Sequence, residues 1–299
     1  MNPNPFLRKL GYAATDRVLI LHADDIGMCH SSLVAYQELM DFGILSSAAT
    51  MVPCGWFPAT AAYCRDNAHN PMLDMGVHLT LTSEWDVLRW GPVHRRDAAS
   101  GLLDAEGYFF RSTEPVQTGA DVDAVAQELR AQVRQALAAG VDATHVDTHM
   151  FTLGHARLLP AYLAVAQEFG LPAFLPRMDE DQLQSMGYDE TSARVLAAEV
   201  AAIGQSGMPL FDHVHVMSLE SHEDRLGEMK SVLAQLPAGL SNIIIHPSVD
   251  TPELRAIAPD WRSRVADHAL FTSDDLRRAL DDAGVQVIGF RALRDALAE

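Results

Sequence analysis

Five segments of this sequence that read as strands end in groups able to bind a cation or move a proton. Asp24 and Asp25 follow 18–21, His78 follows 73–77, and His145, Asp147 and His149 alternate along 141–149. Arg177 closes 173–177 and His246 closes 242–246. One strand-end acid means little, but this many polar groups at one rim would be costly unless paired or bound to a metal. Imidazole and carboxylate donors without thiolate suit a borderline or hard divalent ion, with zinc, magnesium, manganese and cobalt among the choices. Two histidines and one carboxylate leave coordination positions open for water and substrate, the mark of a catalytic site.

Each motif alone has a plainer explanation. Asp24-Asp25 could be an Asx turn leading into a helix capped at Ser31 or Ser32. His145 and His149 could be an i,i+4 pair on a helix, Arg177 could pair with a rim carboxylate such as Asp24 or Asp25, and Pro247 after His246 could simply mark a turn. His213 and His215 carry no signal of function. His22, His30, His69 and His94 have no supporting company.

The elements that must position these groups alternate along the chain. A continuous apolar run at 18–21 suits a strand covered on both faces in a parallel sheet. A helix ending at Gly43, a strand over 44–52, a helix within 55–67 and a strand over 73–77 follow. Residues 83–117 lose all periodicity, with Trp85, Trp90, Tyr108, Phe109 and Phe110 scattered among glycines and prolines, as in an insertion or lid. Helical spacing returns at 121–139. On an extended strand over 141–149, His145, Asp147 and His149 share a face. Helices at 160–169, 191–203, 224–236 and 272–283 alternate with strands at 173–177, 211–217, 242–246 and 285–290, the last helix opening on a capping box of Thr272 with Asp275. This alternation, with no linker, predicts a single α/β domain over 1–299, a parallel barrel in preference to a doubly wound open sheet.

The chain has 299 residues with 22 basic and 40 acidic side chains, a formal charge of −18 that disfavours nucleic acid and anionic membrane surfaces as partners. No run approaches a membrane span, so membrane insertion is not expected. Cys29, Cys54 and Cys64 have no zinc-ribbon spacing and read as free thiols of a cytoplasmic protein.

His22-Ala-Asp-Asp-Ile-Gly27, Gly76-Val-His-Leu-Thr80 and Thr144-His-Val-Asp-Thr-His149 resemble the three signature stretches of the YdjC-like carbohydrate deacetylases, the group that includes chitooligosaccharide and hopanoid-associated enzymes. Asn242-Ile-Ile-Ile-His-Pro247 resembles their late histidine motif. The resemblance implies a distorted, seven-stranded (β/α) barrel, one divalent ion (magnesium or zinc), and hydrolysis of an N-acetyl group on an amino sugar or oligosaccharide. It assigns Asp25, His78 and His149 as metal ligands, Asp24 as general base and His246 as general acid. His145 and Asp147 become neighbouring support, and Arg177 matches an arginine that orients the catalytic aspartate. A homodimer is compatible with the resemblance. The chain departs from the pattern at Ile26, where the family commonly has Phe, and after His149, where Met150-Phe151-Thr152 replace further histidines. The rival functions are a metallohydrolase of another amide or a phosphoester, and a silent sugar-binding protein.

Overall fold

The run that opens the first motif forms β1 (Arg17–Ile26), with Val18, Leu19, Ile20 and Leu21 all wholly buried, as a strand covered on both faces requires. The computed structural model describes residues 4–185 and 188–299. Along one edge β1 pairs with β6 (Gly239–Ile245), and along the other with β7 (Gln286–Val287) and then β2 (Ser47–Thr50). β3 (Met75–Leu79) and β4 (Ala143–Thr148) continue beyond β2, and β5 (His213–Val216) lies beyond β6. The order is β4-β3-β2-β1-β6-β5 and every pairing is parallel.

Residues 173–176 carry the path from β4 to β5 through single parallel bridges, Val146 with Ala173 and Pro176 with Phe211. Hydrogen bonds from Phe174 N to Val146 O (2.8 Å) and from Arg177 N to Phe211 O (2.7 Å) support them. Strands follow one another around a distorted barrel without the reversal of order that defines a doubly wound sheet. The strand expected at 173–177 shrinks to these bridges because Pro172 and Pro176 have no N–H to donate. That expected at 285–290 shrinks to two residues, since Phe290 already opens the helix Phe290–Ala298.

Alternation along β1 and β6 divides the core. Val18, Ile20, Leu240 and Ile244 pack inward with Phe174, Phe211 and Phe290, while Leu19, Leu21, Ile243 and Ile245 join the larger cluster under the helices. His22 and Asp24 continue the inner row towards the carboxyl end of β1.

Two caps differ from expectation. Cys29, not Ser31 or Ser32, is the N-cap of the helix His30–Phe42, and Ser32 Oγ accepts from the Cys29 backbone N–H at 3.5 Å. Ser273 caps Asp274–Ala283 by accepting from Leu276 N (3.2 Å), whereas Thr272 closes the preceding helix Trp261–Phe271. The irregular region contains a short 3-10 turn, Ala98–Ser100, and a helix, Thr113–Gly119. Its Trp85, Trp90 and Phe109 are buried in the main core. The buried Glu128, on the helix Val122–Ala138, fixes the region by accepting from Val93 N (2.9 Å) and His94 N (2.8 Å).

Candidate active site

Neighbouring residues on a regular strand point to opposite faces, so Asp24 and Asp25 could not both reach one site from an undistorted β1. Asp25 breaks the alternation. Its φ is +64°, in the left-handed region, and the β1–β2 register shifts between Ala23 and Ile26. Such backbone costs on the order of 1–3 kcal/mol and persists where surrounding structure fixes it. Both acids consequently face His78: Asp24 Oδ1 lies 3.9 Å from Nδ1 and Asp25 Oδ1 lies 3.4 Å from Nε2.

Asp25, His78 and His149 converge at the carboxyl ends of β1, β3 and β4, all buried. Asp25 Oδ1 is 3.1 Å from His149 Nδ1, and His78 Nε2 is 3.2 Å from the same nitrogen. An outer group holds each of the three. His78 Nδ1–H donates to Asp147 Oδ1 (2.8 Å), His149 Nε2–H donates to the Glu84 carboxylate (3.0 and 3.1 Å), and Arg264 donates to Asp25 Oδ2 (2.8 Å). These bonds leave two imidazole lone pairs and one carboxylate oxygen aimed at a common point, and Asp25 Oδ1 has no hydrogen-bond partner among the described residues. Acceptors packed this closely require positive charge between them. Separations of 3.1–3.4 Å are those of ligands sharing a divalent ion at about 2.0–2.2 Å. The residues present therefore fit a cation.

The surrounding carboxylates likewise favour positive charge at this point, which either ring protons or a cation can supply. Burial works against the charge on His149, but Glu84 and Asp25 outweigh it and raise the ring to about 9. His78 rises well above its ordinary value in the same way, burial being overcome by Asp147 and Asp24. Burial pushes Asp25 up, yet Arg264 and His149 hold it well below the usual carboxylate range.

Beside this triangle, Asp24 Oδ2 faces His246 Nε2 at 3.8 Å. His246 takes its place at the end of β6 through its backbone N–H, which donates to Asp267 Oδ2 (3.0 Å). Burial lowers its ring pKa, against the pull of Asp25 and Asp24, and Nδ1 has no partner among the described residues.

A model of the family described as YdjC-like protein matches residues 18–282. The chain belongs to the YdjC-like family. It is similar over 97% of its length, at 33% identity, to a carbohydrate deacetylase of Thermus thermophilus, of which the match covers 98%. A carbohydrate deacetylase of Brevibacillus brevis is 32% identical over 92% of the chain and 99% of that protein. A solved structure of an Enterococcus faecalis protein assigned to cellobiose-phosphate cleavage superimposes with TM-score 0.72 at 21% identity, covering 93% of this chain and 99% of that one, and so shares the fold.

Within this YdjC-like chain, the resemblance placed Arg177 on the catalytic aspartate, but Arg177 instead makes an ion pair with Asp212 (2.5 Å), the residue before β5. The guanidinium on the site is that of Arg264, 239 positions beyond Asp25. His145 lies beneath the centre. Its ring stacks on Phe290 at 3.7 Å between centroids and fills space that only Gly76 leaves open, since a Cβ there would overlap the imidazole. Burial and the charge of His22 keep His145 neutral, its pKa well below the ordinary value. Asp147 bridges, with Oδ1 on His78 and Oδ2 on His22 Nε2 (2.9 Å). His22 is thus no isolated histidine, as the sequence suggested, but a wholly buried member of the site. Its period-2 spacing from Asp24 was a usable signal. Glu84, lost in the irregular region, and Arg264, on a distant helix, carried none. The departure after His149 has a structural form: Met150 and Phe151 are both left-handed (φ 54° and 50°), and Gly154 leaves room for the Phe151 ring.

Proposed function

We propose that this chain is a divalent-metal-dependent hydrolase that removes an N-acetyl group from an amino sugar or oligosaccharide. One observation carries the reading: a buried Asp25–His78–His149 acceptor triangle, each member held by an outer partner, lies beside a facing Asp24–His246 pair. The carbohydrate deacetylases to which the chain is similar support the substrate class. Asp25, His78 and His149 would hold the ion, and their nitrogen and oxygen donors suit magnesium or zinc. Such an ion acidifies bound water and polarises a carbonyl oxygen.

The chain's own groups divide the proton work. Asp24 is a carboxylate with one oxygen turned to the site, placed to accept the proton of the attacking water. His246, whose Nε2 lies 3.8 Å from Asp24 Oδ2, receives that proton and hands it to the departing sugar nitrogen. Trp90, whose ring centroid is 6.4 Å from that of His149, also lines a cleft of about 470 Å3 with Met28, Phe57 and Arg96. Within it Trp90 and Phe57 offer aromatic surface, as sugar rings favour, beside the guanidinium of Arg96. Neither this cleft nor a larger cavity of about 730 Å3, lined by Lys9, Arg177 and Met208, is lined by the site acids or histidines, and only the cleft touches the centre's surroundings, through Trp90.

The test is acetate release from N-acetylated glucosamine oligomers by protein stripped with a chelator and reloaded with magnesium or zinc. Release should depend on the ion, and Asp24→Asn should lower kcat about 10²–10⁴-fold. Undiminished turnover in Asp24→Asn, or turnover without the ion, would overturn the reading.

A further inference from the structure

His22 lies two residues before Asp24 on the inner face of β1, and both its ring nitrogens meet oxygen. Nδ1 is 3.1 Å from Ser47 Oγ, while Nε2 is hydrogen-bonded to Asp147 Oδ2 (2.9 Å) and lies at ion-pair distance, 3.0 Å, from Asp24 Oδ1, an oxygen with no hydrogen-bond partner among the described residues. The Ser47 hydroxyl gives its single hydrogen to Asp74 Oδ1 (3.0 Å), so it can only accept from His22. Nδ1 therefore carries a hydrogen. On the other side stand two carboxylate oxygens, which accept and cannot donate. A bare Nε2 would set three lone-pair groups against one another in a site closed to water, and a second ring hydrogen removes that conflict.

Resting on the deacetylase reading, we propose that His22 is a positioning residue for the general base: an imidazolium that ties Asp24 Oδ1 to Asp147 and leaves Asp24 Oδ2 facing His246. The geometry links base and ion site in one frame, because Asp147 holds His22 through one oxygen and His78 through the other. Ser47 and Thr144, both donating to Asp74, anchor that frame from the opposite side. Burial opposes the charge on His22, but Asp147 and Asp24 outweigh it and raise the ring to about 9. His22 touches neither ion nor substrate and acts through Asp24.

Two variants and a spectroscopic readout test this. His22→Leu keeps bulk without donors, and His22→Gln restores side-chain N–H groups. His22→Leu should lower kcat about 10²-fold, the scale of a misplaced catalytic group, with KM and the bound cation per chain unchanged. His22→Gln should recover most of the loss. In ¹H–¹⁵N spectra of the histidine rings at neutral pH, the resonance set abolished by His22→Leu should show hydrogens on both nitrogens. A kcat within threefold of wild type in His22→Leu, or a singly protonated ring, overturns the proposal. So does a second cation per chain that His145→Ala removes, since it would occupy the place assigned to the ring hydrogen. If wild type releases no acetate while Asp24→Asn and wild type bind the cation alike, the deacetylase reading fails on its own. The spectra then decide the clamp, and its catalytic role falls with the reaction.

Discussion

Asp25, His78 and His149 each present one atom inward because a second group engages the other end. Such outer partners fix the tautomer and orientation of a ligand, and losing one typically costs about 10–100-fold in metal affinity. Glu84 is the informative case, because it arrives on the irregular region and touches the site through His149. Glu84→Ala should weaken cation binding by that factor, measured by calorimetric titration of stripped protein. An unchanged affinity would show that His149 needs no carboxylate to hold its ring. At this scale the sequence exposed the inner residues and concealed most of the outer ones. Asp25 and His78 stand at the ends of apolar runs, and His149 closes an alternating strand with His145 and Asp147, where position signals chemistry. Arg264 reaches Asp25 from a helix with no local spacing to mark it, and Glu84 sits where periodicity has failed.

The helix Trp261–Phe271 shows how one element serves two site residues. Arg264 and Asp267, three apart and so on one face, reach Asp25 Oδ2 and the His246 backbone N–H respectively. Asp267 is wholly buried, and burial raises its carboxyl to about 7 despite Arg225 at 3.1 Å. A carboxyl whose folded pKa exceeds its unfolded value binds its proton more tightly in the native state. Its contribution is full below about pH 4 and is lost as pH rises through about 7, a change on the order of 4 kcal/mol. Asp267→Asn lacks this titration, so wild type should lose stability relative to the variant between pH 4.5 and 7.5 in urea unfolding. Parallel stability curves would mean that Arg225 keeps Asp267 ionised throughout. Elements of this kind were legible as periodic segments, but their ends were not. Caps at Cys29 and Ser273, and a strand reduced by Pro172 and Pro176, depend on local backbone geometry that apolar spacing does not encode.

For the molecule as a whole, alternation of strand and helix on either side of the irregular 83–117 region was enough to indicate a parallel α/β domain and to favour a barrel, but one-handed crossovers are shared by barrels and doubly wound sheets alike. Closure was not legible, since it rests on bridges whose register depends on segments far apart in sequence. That wound arrangement brings Asp25, His78 and His149 to one buried point, so none of their mutual geometry exists in the unfolded chain. A cation that binds there stabilises the native state by mass action, about 2.7 kcal/mol at a free concentration one hundred times Kd. For a chain of this size that is a rise of several degrees in Tm. The rise should appear with magnesium or zinc in chelator-stripped wild type, reverse on adding chelator, and be absent from His149→Ala, as read by differential scanning calorimetry. An equal rise in wild type and His149→Ala would place the stabilising cation elsewhere among the excess acidic side chains, and the convergence of three strand ends would then serve the barrel without holding an ion.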